Sequence, residues 1–114
     1  MIRWLTFAAF ALTASSVVAE GRVETAERGL YVCELPGDAA GAASHVQADR
    51  NFTVETSSRY SSPQGAGTYL RRGGRLQMTS GPRKGEAYQV MHPGFLRLLQ
   101  PDGKTGRLRC VLQS

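Results

Sequence analysis

Two histidines, two cysteines and one glycine-bounded loop are the places where this chain of 114 residues could do chemistry. His45 lies in an Ala/Gly-rich stretch and His92 in a His-Pro-Gly turn. Neither belongs to an H-x-x-x-H or similar pair, so no metal site is legible. A Ser-His-Asp set is spatial rather than sequential, but no G-x-S-x-G elbow marks a serine here. The expectation is a non-enzyme with no cofactor and no metal.

The loop is Ser80-Gly81-Pro82-Arg83-Lys84-Gly85. A phosphate-binding loop needs G-x-x-x-x-G-K-[ST] opening a helix. In this loop the lysine precedes the second glycine and the residues that follow are strand-like, so nucleotide binding is not expected. What the loop does offer is a pair of cations on a glycine-bounded turn, and exposed turns often carry binding residues. Ser80, Gly81, Arg83 and Lys84 are therefore the candidate binding residues. The plainer reading is a solvated turn, polar for conformational reasons.

Cys33 and Cys110 are the two cysteines of the chain. They sit near the start of the first clear strand and the end of the last. An oxidising compartment would pair them. A reactive thiol is the alternative, but no C-x-x-C is present, and Cys110 alternates with Leu108 and Leu112 as a buried residue would.

These residues have to be held by strands. Gly67 to Val90 reads as a meander of Thr68–Arg71, Arg75–Thr79 and Glu86–Val90. Gly73-Gly74 can supply the positive φ of a tight turn, and Pro82 has no N–H for a ladder, which forces a loop. Gly29–Leu35 is a strand stopped by Pro36-Gly37. Asn51–Thr56 alternates with period two. Phe95–Leu99 and Gly106–Leu112 flank the Pro101-Asp102-Gly103 turn. Ser57–Gly67 reads as loop, and Ala42–Asp49 as a stretch that could form a short helix. About seven short strands spaced near ten residues apart indicate an all-β fold, a small antiparallel barrel or sandwich with one disulfide. Asn51-Phe52-Thr53 fits a glycosylation sequon but falls inside a strand, and reads as coincidence.

The N-terminus gives an address. Arg3, an almost wholly apolar run from Trp4 to Ala14, and Val17-Val18-Ala19 form the three parts of a secretory signal. The run is too short to span a bilayer, which takes about 20 residues. The organisation expected is a signal peptide over 1–19, a flexible arm over 20–28 and a β-domain over 29–114, located in the periplasm or secreted, with no transmembrane segment after cleavage.

Charge is uneven along the expected mature chain. Glu20 to Leu70 holds four arginines against seven acids, whereas Arg71 to Ser114 holds nine basic residues against Glu86 and Asp102. A segment of +7 favours anionic partners by counter-charge. In an exported protein the partner would be an anionic envelope component or an acidic protein, and nucleic acid is not expected. Tyr69, Tyr88 and Phe95 accompany the arginines, but at strand spacing they read as core or rim residues.

An exported all-β domain that begins Tyr31-Val32-Cys33, ends with Cys110 and carries Ser80-Gly81 on a central hairpin before Tyr88 resembles the periplasmic and membrane-bound inhibitors of C-type lysozyme. Those are small β-barrels with a terminal-to-terminal disulfide, whose Ser-Gly loop and a lysine enter the lysozyme cleft. The resemblance would put Ser80-Gly81 in that loop, with Lys84 the nearest cation. A shorter stretch, Gly81 to Val90, is similar to the lysine-tipped hairpin in the first domain of elongation factor P, with Lys84 at the place of the functional lysine. A translation factor works in the cytosol, so the export signal disfavours that implication.

Export and pairing are both read by one intact-mass measurement on protein from the native cell fraction. The expected species begins at Glu20 and lacks two hydrogens. A full-length species with two free thiols would overturn both expectations.

Overall fold

Alternating apolar and polar residues turn most of this chain into strands whose inward side chains share one core. The computed structural model describes residues 23–114. The expected signal over 1–19 and the first residues of the arm lie outside the described residues. Ten strands form: β1 (Val23–Glu24), β2 (Gly29–Pro36), β3 (Ser44–Val46), β4 (Phe52–Val54), β5 (Arg59–Ser62), β6 (Gly65–Arg72), β7 (Arg75–Met78), β8 (Ala87–His92), β9 (Phe95–Leu99) and β10 (Thr105–Leu112). Eight of them, β2 and β4 to β10, close into an antiparallel barrel in which each strand pairs with the next and β10 returns to β2. Short β1 extends the pairing of β6, and short β3 the pairing of β2. The fold is thus all-β as expected, and a closed barrel rather than a sandwich.

Closure is made where the ends of the domain meet. Cys110 stands directly opposite Cys33 in the β2–β10 ladder, and the two form a disulfide between residues 77 apart in sequence. Both sulfurs are fully buried. Cross-linking so long a loop removes denatured-state entropy worth roughly 4–5 kcal/mol before native strain is subtracted. That is a large share of the roughly 5–15 kcal/mol that holds a domain folded.

An eight-stranded barrel is just wide enough for its own side chains. Phe52 stacks on Tyr31 with ring centroids 5.2 Å apart and tilts against Tyr88 at 5.4 Å. Leu76, Met78, Leu96 and Val54 fill the space around them. All four tyrosines of the chain are buried, and each hydroxyl has a partner near a barrel end. At one end the Tyr31 hydroxyl donates to Glu27 O (2.8 Å), and that of Tyr69 accepts from the Ala26 N–H (3.0 Å). At the other, Tyr60 donates to Ser80 O (2.8 Å) and Tyr88 to Glu86 Oε1 (3.2 Å). A phenol buried with its polar atom paired keeps its apolar contribution without a desolvation penalty.

Several local expectations give way. Ser57–Gly67 is not a loop: it holds β5 and the start of β6. Its inward positions are Tyr60 and a glycine, because a Cβ at Gly67 would come within 2.1 Å of Ser80 O and 2.8 Å of the Tyr60 ring. The turn before it uses two serines at positive φ, Ser57 (60°) and Ser58 (57°). Ala42–Asp49 forms no α-helix but β3 and a 3-10 turn, Ala48–Arg50. The arm is not loose throughout, since Glu24 pairs with Arg71 and Ala26 is buried. Of Gly73 and Gly74, Gly73 takes the positive φ (60°).

Two of the phenols respond to pH. Burial, with the nearby Glu27 charge adding, pushes Tyr31 up to about 12. Burial, with Glu86 adding, does the same for Tyr88, also to about 12. Both are thereby held protonated in the fold, while in the unfolded chain they ionise near 10. The stability they contribute is present below pH 10 and is lost as pH rises from 10 to 12. Urea midpoints measured across that window will fall less steeply for Tyr88→Phe than for the parent. An identical slope would show that the Tyr88 phenol is not the group responsible.

Candidate binding surface

Arg83 does not lie on an exposed turn as the sequence suggests; it is 3% exposed. Gly81 turns the chain back at φ 86°, and a Cβ there would meet Ala66 O at 2.5 Å and the Tyr60 hydroxyl at 2.8 Å. The loop therefore folds across the end of the barrel. The Tyr60 hydroxyl accepts from the Arg83 N–H (3.1 Å). The Arg83 guanidinium donates to the carbonyls of Arg50 (2.7 Å), Asn51 (2.9 Å) and Asp49 (3.0 Å) and to Gln64 Oε1 (3.1 Å). It lies 5.6 Å above the centre of the Phe52 ring. A guanidinium suits this position because its fork of N–H groups can satisfy several acceptors at once.

Ser80 is also turned inward. Its Oγ accepts from the Thr68 N–H (3.0 Å) and shares a hydrogen with Thr68 Oγ1 (2.7 Å). Of the four loop residues singled out, Ser80, Gly81 and Arg83 serve the fold of the barrel end. Lys84 alone is an exposed cation, with no side-chain partner among the described residues.

The basic surface is instead a row across the outer wall. In the ladders, Arg72 stands opposite Arg75, Arg75 opposite Gln89, Gln89 opposite Arg97, and Arg97 opposite Arg109. Each flanks a residue that points into the core: Leu76 for Arg75, Tyr88 for Gln89, Leu96 for Arg97, Cys110 for Arg109. Strand alternation therefore puts the row outside. Arg107 lies on the same face of β10 as Arg109.

Arg97 and Arg109 are fixed in place. The Arg97 guanidinium donates twice to Gly106 O, at 2.7 and 3.0 Å, where the register of β10 shifts. Arg109 Nε pairs with Glu34 Oε1 at 2.8 Å, and this hydrogen bond holds the Glu34 carboxyl below its usual range, with Ser44 adding. Arg75 and Arg107 are exposed and without partners among the described residues. Among the described residues, Glu34 is the one acid that stands in register with the row.

Below the row lies an open groove of about 700 Å³, lined by Arg50, Arg75, Lys84, Glu86, Leu98 and Asp102 among others. Its charges are mixed, and Arg50 is paired with Glu86 at 2.9 Å. The row, not the groove, is of one sign.

Neither histidine enters this surface as a chemical group. His45 is exposed on β3, and His92 stacks on Phe95 at 5.0 Å. Among the described residues no group of three or more His, Cys, Asp or Glu is placed to hold a metal ion. Asn51 of the sequon is in structural use, its Oδ1 accepting from the Cys33 N–H at 2.8 Å. Compared with family models, curated proteins and solved structures, the chain matches none.

The different roles of the two adjacent cations are measurable. Arg83→Met strips the donors from three backbone carbonyls and will cost about 3 kcal/mol in chemical denaturation. Lys84→Ala will stay within about 0.5 kcal/mol of the parent. Equal effects would contradict the assignment of Arg83 to the barrel end.

Proposed function

We propose that this protein is an exported, non-catalytic binding module, periplasmic or secreted, that engages an anionic envelope component or an acidic protein through its outer arginine row. The observation that supports the reading most is the register that sets Arg72 opposite Arg75 and Arg97 opposite Arg109, with Gln89 between the two pairs. Like charges so close together repel one another, and a polyvalent anion relieves that repulsion as it binds. Core side chains and the four tyrosines pack the barrel interior, and the charge asymmetry lies on the wall.

Inhibition of a C-type lysozyme stands second. A small barrel stapled between its first and last long strands agrees with that resemblance, but Ser80 and Gly81 are engaged with the barrel and leave Lys84 alone to enter a cleft. The translation-factor reading rests on Lys84 at a turn and nothing more.

The test is retention. Protein in the native envelope fraction will be held at low salt and released as salt rises. Arg75→Glu with Arg107→Glu, two exposed substitutions that leave the fold alone, will be released at lower salt. Retention unchanged by the double substitution would count against the row as the contact surface.

A further inference from the structure

The row is not flat. Adjacent strands lie about 4.8 Å apart, so the four steps from β6 to β10 carry it roughly 19 Å along the wall. In a closed barrel of eight tilted strands a row that runs straight across them turns by roughly 25° at each step, so four steps turn it by about a quarter to a third of the circumference. Strands tilt by about 35–45° to the barrel axis, so the row climbs as it turns. Arg72 and Arg109 therefore face directions roughly 100° apart. A planar array of lipid headgroups meets two or three members of such a row at a time. A flexible chain can follow all of it.

Neutral surface between the cations narrows the class of chain. Gln89 interrupts the row with an uncharged amide that can both donate and accept. On one side of it is a shallow hollow of about 430 Å³, where Arg72 and Arg75 adjoin Leu70 and Gln77. On the other is a hollow of about 230 Å³, where Arg97, Arg107 and Arg109 adjoin Pro36, Met91 and Phe95. Each hollow pairs a cationic edge with an apolar wall. A sugar ring has the matching character: an apolar C–H face, hydroxyls at its rim and, in acidic glycans, a carboxylate or sulfate. A polyphosphate has no apolar face to offer. Nucleic acid would look for stacking platforms, and among the described tyrosines and phenylalanines only Phe95 is not buried.

Resting on the binding reading above, we infer that the partner is a flexible acidic polysaccharide that wraps the barrel along the Arg72–Arg75–Gln89–Arg97–Arg109 row. Its anionic groups pair with the arginines, and its neutral ring faces settle in the two hollows beside Gln89.

The probes are size-graded uronate and sulfated oligosaccharides, polyphosphate, polyglutamate, and vesicles of phosphatidylglycerol in phosphatidylcholine, with binding to the purified protein measured at fixed low salt. Affinity for the oligosaccharides will rise with length until they span about 19 Å and then level off. Arg75→Glu will weaken the longest oligosaccharide about tenfold. Arg59→Glu, the same charge change on exposed β5 away from the row, will leave that affinity in place. The inference falls if the vesicles, polyphosphate or polyglutamate bind as tightly as the long oligosaccharide, or if affinity is already maximal at the shortest length; the binding reading survives those results. If none of the anionic probes binds, both fall together.

Discussion

The pairing of β2 with β10 is the contact on which the rest of this molecule depends. Every other ring pairing but β2–β4, which spans β3 and the 3-10 turn, joins neighbours in sequence and can form as a local hairpin. This one joins the two ends of the domain and bears the loop-closure entropy of the whole sheet. Without it the meander is an open sheet with two exposed edges, each a template for pairing with another chain. Cys33 and Cys110 stand opposite each other at this seam, so one covalent bond fixes both the register and the closure. Arg109–Glu34, the next pair along, adds a charge-assisted contact on the outside of the same seam.

Closure also divides the residues into two populations. Inside, volume decides: one stacked aromatic pair, a third ring tilted against it, and four aliphatic side chains fill the available width, and the tyrosine hydroxyls are pushed out to the ends. There three of them bind backbone from the segments that lie across the openings, Ala26 and Glu27 at one end and Ser80 and Arg83 at the other, while Tyr88 donates to the Glu86 carboxylate. Outside, charge decides. The alternation that buries Leu76, Tyr88, Leu96 and Cys110 sets their sequence neighbours in a line, so the arginine row is a by-product of the core register.

Much of the fold could be read in the sequence because its signals are local. Glycine and proline punctuation marked the hairpins, and period-two alternation marked β4 and β10. The disulfide was legible because only one pairing was possible. Ser57–Gly67 was not legible because its strands use glycine and serine where close backbone approach to Ser80 and Tyr60 leaves no space for larger groups. Of the binding surface, the excess of positive charge after residue 70 was visible, but its geometry was not. Which arginines stand together depends on pairing register between strands, and that is a property of the closed sheet. Arg83 was misread for the same reason. Its acceptors, the carbonyls of Asp49, Arg50 and Asn51, lie more than thirty positions away, and nothing in a glycine-bounded turn announces that they will come within reach.

The partners of Arg83 have a further consequence. They are three main-chain carbonyls and one side-chain amide, none of which takes up a proton in the range where carboxylates do. Fastening by Arg83 therefore involves no carboxylate, unlike the pairs Arg50–Glu86 and Arg109–Glu34. Such a latch would stay shut through acidification that weakens contacts in which a carboxylate must stay charged.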